Sequence, residues 1–153
     1  MTITIRPTTH DDLPVLFEFQ REPEANEMSA FPPRDHDAFM AHWDKVLAME
    51  AVVSRTIVEG ETIVGSIGCF EMDGEWMVGY WIGTAFWGRG IATRALELLL
   101  DEVETRPLLA YVAKRNAGSI RVLEKCGFEQ IGENTHAAPT GGEEVEEFLY
   151  SIS

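Results

Sequence analysis

Gly88, Arg89 and Gly90, followed at once by Ile91, Ala92 and Thr93, are the residues whose types and spacing point to chemistry. Two glycines and a small alanine remove side chains where a helix begins. That leaves backbone N–H groups open to a second molecule at close range. Those groups and the positive end of the helix dipole favour an anion, usually a phosphate. Arg89 adds a full positive charge at the same point. A strand-to-helix turn that needs glycine only for geometry would read the same way if it stood alone. The order Gly88-Arg-Gly-Ile-Ala-Thr93 matches neither a Walker loop, which ends in Gly-Lys-Ser/Thr, nor the G-x-G-x-x-G dinucleotide fingerprint.

The elements around the turn must position it. Trp76 to Ile82 is β-branched and aromatic, as a strand requires. Ala92 to Val103 sets Ala95, Leu96, Leu99, Leu100 and Val103 at i, i+3, i+4 spacing, as a helix with one buried face requires. Pro107 stops that helix, and Leu108 to Ala113 is a short apolar strand after a connection long enough for a parallel crossover. Strand, glycine turn, helix and strand make one βαβ unit, with the anion expected where the helix begins.

Ahead of this unit, Thr2 to Arg6 alternates as a first strand that Pro7 ends. Thr9 and Asp12 suggest a helix start for Asp11 to Glu22, with Pro14 delaying it. Arg21 to Pro33 reads as a Pro-rich loop. Asp35 then caps a helix to about Met49 whose apolar face is Phe39, Met40, Trp43, Val46 and Leu47. Ala51 to Glu59, Thr62 to Met72 and Glu75 to Ile82 form an antiparallel meander, with Asp73-Gly74 as a hairpin turn. Beyond the unit, Asn116 and Ser119 open a helix from about Ala117 that Gly127 terminates, with Lys125 in its last turn. Phe128 to Asn134 and Glu143 to Ile152 read as closing strands around a flexible loop.

Two stretches resemble the GNAT superfamily of N-acetyltransferases. Trp87-Gly-Arg-Gly90-Ile-Ala92 is similar to its Q/R-x-x-G-x-G/A motif, and Asn116-x-x-Ser119 followed by Val122-Leu-Glu-Lys-Cys-Gly-Phe128 to its motif B, about 25 residues on. Gly79-Tyr-Trp-Ile-Gly and Phe86-Trp-Gly-Arg-Gly resemble the RimJ/RimL branch. The resemblance implies an α/β (α+β) fold, a single domain over 1–153, with a mixed six- to seven-stranded sheet. About four helices on its two faces and a central βαβ acetyl-CoA unit complete it. It implies acetyl transfer from acetyl-CoA, as cosubstrate, to a primary amine by direct attack in a ternary complex. The acceptor is a peptide N-terminus or a small cationic amine.

The same resemblance assigns residues. Trp87, Gly88, Arg89, Gly90, Ile91, Ala92 and Thr93 cradle the pyrophosphate. Tyr80, Trp81 and Ile82 pair their backbone with the pantetheine arm and offer an N–H to the thioester oxygen, and Lys125 joins the cofactor set. Asn116 contacts pantetheine or substrate, and Ser119 is the candidate proton donor near sulfur. The family's usual tyrosine acid is replaced by Leu123, and a glutamate found in the branch by Met77. Glu71 and Glu75, which flank the hairpin, are the candidate bases; both also read as solvated turn residues, and a water relay is the other route. Ser119 also reads as a hydrogen bond at the helix start. These departures keep open a protein that binds acetyl-CoA without transfer, as a sensor or interaction module. Substrate choice is expected in Glu22 to Arg34 and His136 to Gly142, where Glu22, Glu24, Glu27, Asp35 and Asp37 make an acidic mouth and Phe31 offers an apolar contact.

Charge points the same way. The chain carries 12 Lys and Arg against 26 Asp and Glu, a net −14. Seven of those cations fall between Arg89 and Lys125 with five acids, a local +2, which leaves −16 elsewhere. A positive island suits an anionic cofactor and an acidic remainder suits a cationic amine, although acids also simply maintain solubility. Nucleic acid is an unfavoured partner at this charge. No apolar run reaches the roughly 20 residues of a membrane span, and Met1-Thr-Ile-Thr-Ile-Arg lacks a signal-peptide pattern. The cytoplasm is the default expectation. Cys69 and Cys126 read as buried thiols, His36 and His42 are six apart, and no metal site is expected. Oligomeric state is not readable, though relatives that pair through C-terminal strands suggest a homodimer.

Overall fold

The computed structural model describes residues 2–29, 33–137 and 144–153. Among them seven strands form one sheet in the order β1-β2-β3-β4-β5-β7-β6. These are β1 (Ile3–Pro7), β2 (Val53–Glu59), β3 (Thr62–Met72), β4 (Glu75–Ile82), β5 (Leu108–Ala113), β6 (Glu129–Ala137) and β7 (Glu144–Ile152). β1 to β4 run antiparallel, β4 and β5 are parallel, and β5, β7 and β6 are antiparallel. The last strand in sequence therefore inserts between β5 and β6. Asp73 and Gly74 both have positive φ, 52° and 82°, the conformation a two-residue hairpin needs to match strand twist.

Among the described residues five α-helices cover the sheet: α1 (Leu13–Gln20), α2 (Pro23–Ser29), α3 (His36–Ala48), α4 (Ile91–Glu102) and α5 (Ala117–Lys125). The expected count of about four is short by α2, because Arg21 to Pro33 is not all loop. α1 starts later than Asp11, after a 3-10 turn over His10–Asp12, and Pro14 sits in its first turn, where its missing N–H costs nothing. Asp35 caps α3 by accepting the Ala38 N–H at 2.7 Å.

Two clusters fill the layers. On one face Ile91, Ala95, Leu96 and Leu99 of α4 and Leu123 of α5 pack on Ile57, Ile67, Val78, Leu108, Ala110 and Val112. On the other, Leu13 and Leu16 of α1 meet Phe39 of α3, with Trp43 and Leu47 alongside. Each fully buried aliphatic side chain contributes roughly 1.5–3 kcal/mol. α4 ends under Arg106, whose guanidinium donates to the Leu100, Val103 and Thr105 carbonyls and satisfies the last turn.

A polar knot joins the first strand to this framework. Asp12, 3% exposed, accepts both Arg6 guanidinium nitrogens at 2.8 Å, the Thr9 N–H at 2.9 Å and the Thr56 hydroxyl at 2.9 Å. The Arg6 pair holds its carboxyl down to about 2 despite burial.

Candidate active site

The site starts from a gap in the sheet. β4 pairs with β3 along its whole length, from Met72↔Glu75 to Gly65↔Ile82, whereas β4 and β5 share the single ladder pair Met77↔Leu109. Beyond Met77 the parallel strands part. The C-terminal half of β4, the start of α4 and the start of α5 then line one cavity of about 500 Å³, a size typical of small-molecule sites.

At one wall, Gly88 and Gly90 take φ of 79° and 77°, the left-handed region that costs a side-chain-bearing residue about 1–2 kcal/mol. A Cβ at either would meet nothing within 4 Å. The glycines are therefore required by backbone shape and the space beside them is open. Gly90 caps α4 with no side chain, and the first turn of this 12-residue helix carries no acidic residue. Its N–H groups and dipole are left for an incoming anion. Trp87, Gly88, Gly90, Ile91, Ala92 and Thr93 line the cavity here. So do Arg121 and Lys125 from α5, which bring two positive charges.

Tyr80 and Ser119 form the polar centre. The phenol oxygen lies 2.5 Å from Ser119 Oγ and 3.3 Å from the Ser119 carbonyl. Burial of the ring pushes the phenol up to about 12, with the Ser119 hydrogen bond opposing. The group stays protonated at neutral pH. Asn116 caps α5 by accepting the Ser119 N–H at 3.2 Å, which fixes the serine's backbone. Asn116, Gly118 and Ser119 all face the cavity.

A further wall is α2, through Ala25, Met28 and Ser29. It is held by contacts from the α1–α2 junction to the end of β4. The Trp81 indole N–H donates to the Phe19 carbonyl at 3.1 Å. Glu22 accepts the Thr84 N–H and hydroxyl, each at 2.9 Å. The Phe19 ring fills the space over Gly83, where a Cβ would come within 2.8 Å of it, and meets Phe86 edge-on at 6.1 Å.

The expected residues thus fall in different places. Tyr80, Trp81, Ile82, Trp87, Gly88, Gly90, Ile91, Ala92, Thr93, Asn116, Ser119 and Lys125 line the one cavity. Arg89 does not: its guanidinium pairs with Glu59 at 3.3 Å and lies over the Phe86 ring. Glu71 and Glu75 are exposed at the hairpin tip, before Met77, while the cavity begins after it. No carboxylate or imidazole is among the described residues that line it. Of the acidic mouth, Glu22 is engaged with Thr84 and Asp35 with its helix, leaving Glu24 and Glu27 exposed on α2 and Asp37 exposed on α3. Phe31 and Ala138 to Gly142 lie outside the described residues. Cys126 is half-buried, its thiol 3.6 Å from the Thr93 carbonyl, and Cys69 is buried; both are free.

Sequence reading missed Arg121, Gly118 and Val122, although with Lys125 they repeat at i, i+3, i+4, i+7 on one face of α5. It missed Ala25, Met28 and Ser29 for want of the helix, yet their spacing is again one face. Tyr80 was assigned through its backbone; its hydroxyl's tie to Ser119, 39 residues away, had no local signal.

A parted parallel pair with a helix start free of side-chain caps, two cations and a polar centre in one cleft fits an acyl-CoA-dependent transferase. The chain belongs to the GNAT acetyltransferases: the family model "Acetyltransferase (GNAT) domain" matches residues 2–129. It is 23% identical over 163 aligned positions to an uncharacterized N-acetyltransferase, p20, of Bacillus licheniformis, covering 98% of this chain and 92% of that protein. Its fold is similar to spermidine N-acetyltransferase from Vibrio cholerae in complex with CoA and spermine. The TM-score is 0.86 and the identity 16%, over 98% of this chain and 94% of that one. A phosphinothricin acetyltransferase from Sinorhizobium meliloti in complex with acetyl-CoA gives 0.84 and 16%, over 99% and 88%. The enzyme is an acetyl-CoA-dependent N-acetyltransferase, and the cavity's N–H groups, cations and apolar walls fit that cosubstrate. No group of three His, Cys, Asp or Glu that could hold a metal occurs among the described residues. No helix among them is long and apolar enough to cross a membrane.

Proposed function

We propose that the protein acetylates the primary amine of a cationic acceptor, a polyamine, an amino-sugar compound or a peptide N-terminus, in the manner of the RimJ/RimL branch. The observation that carries this is the single cavity lined by both the α4 glycine turn and Ser119. One end suits phosphates; the other is bounded by α2, whose exposed Glu24 and Glu27 and the net −14 of the chain favour a cation. The similarity to a spermidine N-acetyltransferase fold supports the same class of acceptor.

Aminolysis of a thioester needs a held donor, a neutral amine and a stabilised leaving sulfur. The N–H groups of Gly88 to Thr93, with Arg121 and Lys125, bind and orient the cosubstrate. The Ser119 hydroxyl meets the departing sulfur. With no carboxylate or imidazole in the described lining, the amine's proton passes to water, its own neutral fraction being the nucleophile. The cytoplasm, which keeps thiols such as Cys69 and Cys126 reduced, is the compartment this reading implies. Pairing of two copies along β6, an edge strand of the sheet, gives the expected homodimer; light scattering at the mass of one chain counts against it.

The test is thiol release from acetyl-CoA across polyamines, aminoglycosides, amino acids and short peptides, with Ser119→Ala alongside. Release with cationic amines that falls at least tenfold in the variant supports the proposal. Turnover confined to neutral or anionic acceptors overturns the acceptor class. CoA binding without release for any amine favours a non-catalytic role.

A further inference from the structure

We infer that Tyr80 is a positioning residue for the transfer: its phenol donates to Ser119 Oγ and so turns the serine's own proton toward the leaving sulfur. The inference rests on the acetyl-transfer reading above, in which Ser119 faces that sulfur. Its basis is geometric. The phenol oxygen lies 2.5 Å from Ser119 Oγ and 3.3 Å from the Ser119 carbonyl; either hydroxyl could donate across the shorter contact, and the phenol, much the more acidic of the two, is assigned as its donor. Both side chains line the cavity, and the serine N–H is fixed on Asn116. Once Oγ accepts from Tyr80, its own O–H is left for the cavity. A serine without that partner rotates among three staggered positions and can return its proton to a nearby backbone carbonyl.

Tyr80 holds its place because its ring packs into the core under α4 and α5. Its buried phenol, at about 12, remains a donor throughout the working pH range. Two hydroxyls in series polarise one another, so the second donates more strongly than a lone serine. When the C–S bond breaks, the electron pair goes to sulfur, the acetyl group stays on nitrogen and the amine's proton leaves to water. The thiolate is stabilised by the Ser119 hydrogen bond and takes its proton later from solvent. No proton leaves Tyr80, which matches a phenol far less acidic than a thiol.

The test needs no amine. Thiolate absorbance of CoA bound to the protein is titrated between about pH 6 and 10 for wild type, Tyr80→Phe, Ser119→Ala and the double variant. The bound thiol is expected to ionise about one pH unit below free CoA in the wild type, a tenfold change. It returns to the free value in either single variant, and no further in the double. A fluorinated tyrosine at position 80, close in size and a stronger donor, lowers it further and stands in if the phenylalanine variant does not fold. A thiol that titrates alike in wild type, Tyr80→Phe and the fluorinated protein overturns the inference. If only Ser119→Ala moves it, the serine acts without Tyr80 and the inference also fails. Failure of the wild type to bind CoA overturns the acetyl-transfer reading itself, and this inference with it.

Discussion

Glu22 and Thr84 stand 62 residues apart in sequence, yet one carboxylate oxygen of Glu22 accepts the Thr84 N–H and the other its hydroxyl, each at 2.9 Å. This two-pronged contact joins the helical layer that lines the cavity through α2 to the segment that leads into the glycine turn. With the Trp81 indole on the Phe19 carbonyl, it ties the α1–α2 junction to the end of β4.

Glu22→Ala removes both acceptors and leaves the Thr84 N–H without a protein partner. The expected cost is about 1–3 kcal/mol in unfolding free energy. Because the wall moves and the glycine turn does not, KM for the amine should rise several-fold while CoA affinity changes less than twofold. Thr84→Val removes only the hydroxyl arm and should give roughly half the stability effect. Chemical denaturation and a two-substrate kinetic grid read both. Equal losses for amine and CoA would show that the latch supports the whole cleft rather than one wall.

Gly90→Ala places a Cβ in open space at φ 77°, so the penalty is backbone strain alone. Stability is expected to fall by about 1 kcal/mol. CoA affinity is expected to fall at least tenfold, since the first-turn N–H groups lose their aim. Calorimetric titration checks this against Gly60→Ala, also at positive φ with open space but at the β2–β3 turn, which should cost stability and leave affinity intact.

Arg89 and Arg121 separate two readings of the same positive island. Arg121 lines the cavity, whereas Arg89 is paired with Glu59 outside it. Arg121→Ala and Lys125→Ala should each weaken CoA binding about three- to tenfold, with the loss shrinking at high salt. Arg89→Ala should change it less than threefold. A dominant Arg89 effect would mean that its guanidinium leaves Glu59 when the anion arrives.

The Asp12 knot sets an acid limit on stability. Its carboxyl titrates at about 2 when folded, against an ordinary value of 3.8. The folded state therefore holds fewer protons than the unfolded chain between those values. The stabilisation is fully present above the ordinary carboxylate range and drains as pH falls through about 2, a loss of roughly 2 kcal/mol. Urea midpoints measured from pH 7 down to 2 should show this slope in the wild type. Asp12→Asn should be less stable at pH 7 and flatter in acid.

How far sequence carried the structure depended on distance along the chain. β3, β4 and β5 were legible to the residue at Thr62–Met72, Glu75–Ile82 and Leu108–Ala113, because alternation, Asp73-Gly74 and Pro107 are local signals. The α4 turn was legible because a helix start that must take positive φ has to be glycine. α2 was not, since Pro23-Glu-Ala-Asn-Glu-Met-Ser29 buries little beyond Ala25 and offers no apolar stripe. Glu22 read as a charge for substrate, and its real partner is a backbone N–H that only tertiary folding delivers. The Tyr80–Ser119 contact needs β4 and α5 to meet across the gap beside β5, which no spacing rule encodes.

The described lining also fixes the form of the pH–rate profile. It holds neither carboxylate nor imidazole, and its phenol, at about 12, does not titrate below pH 10. A general base near pH 7 would bend log kcat/KM for the amine at its own pKa. Without one, the plot should rise with a slope of one until the amine's pKa and then level. The break should move when acceptors of lower pKa are used, which a base on the protein would not allow. A break fixed near pH 6–7 for every amine would assign the proton to an enzyme group, and then Glu22, freed from Thr84 on substrate binding, is the carboxylate to test beside Glu24 and Glu27 of α2. Glu22→Gln keeps the hydrogen bond to the Thr84 N–H while removing the titration. It should leave the profile unchanged if the amine deprotonates to water, and abolish the break if Glu22 is the base.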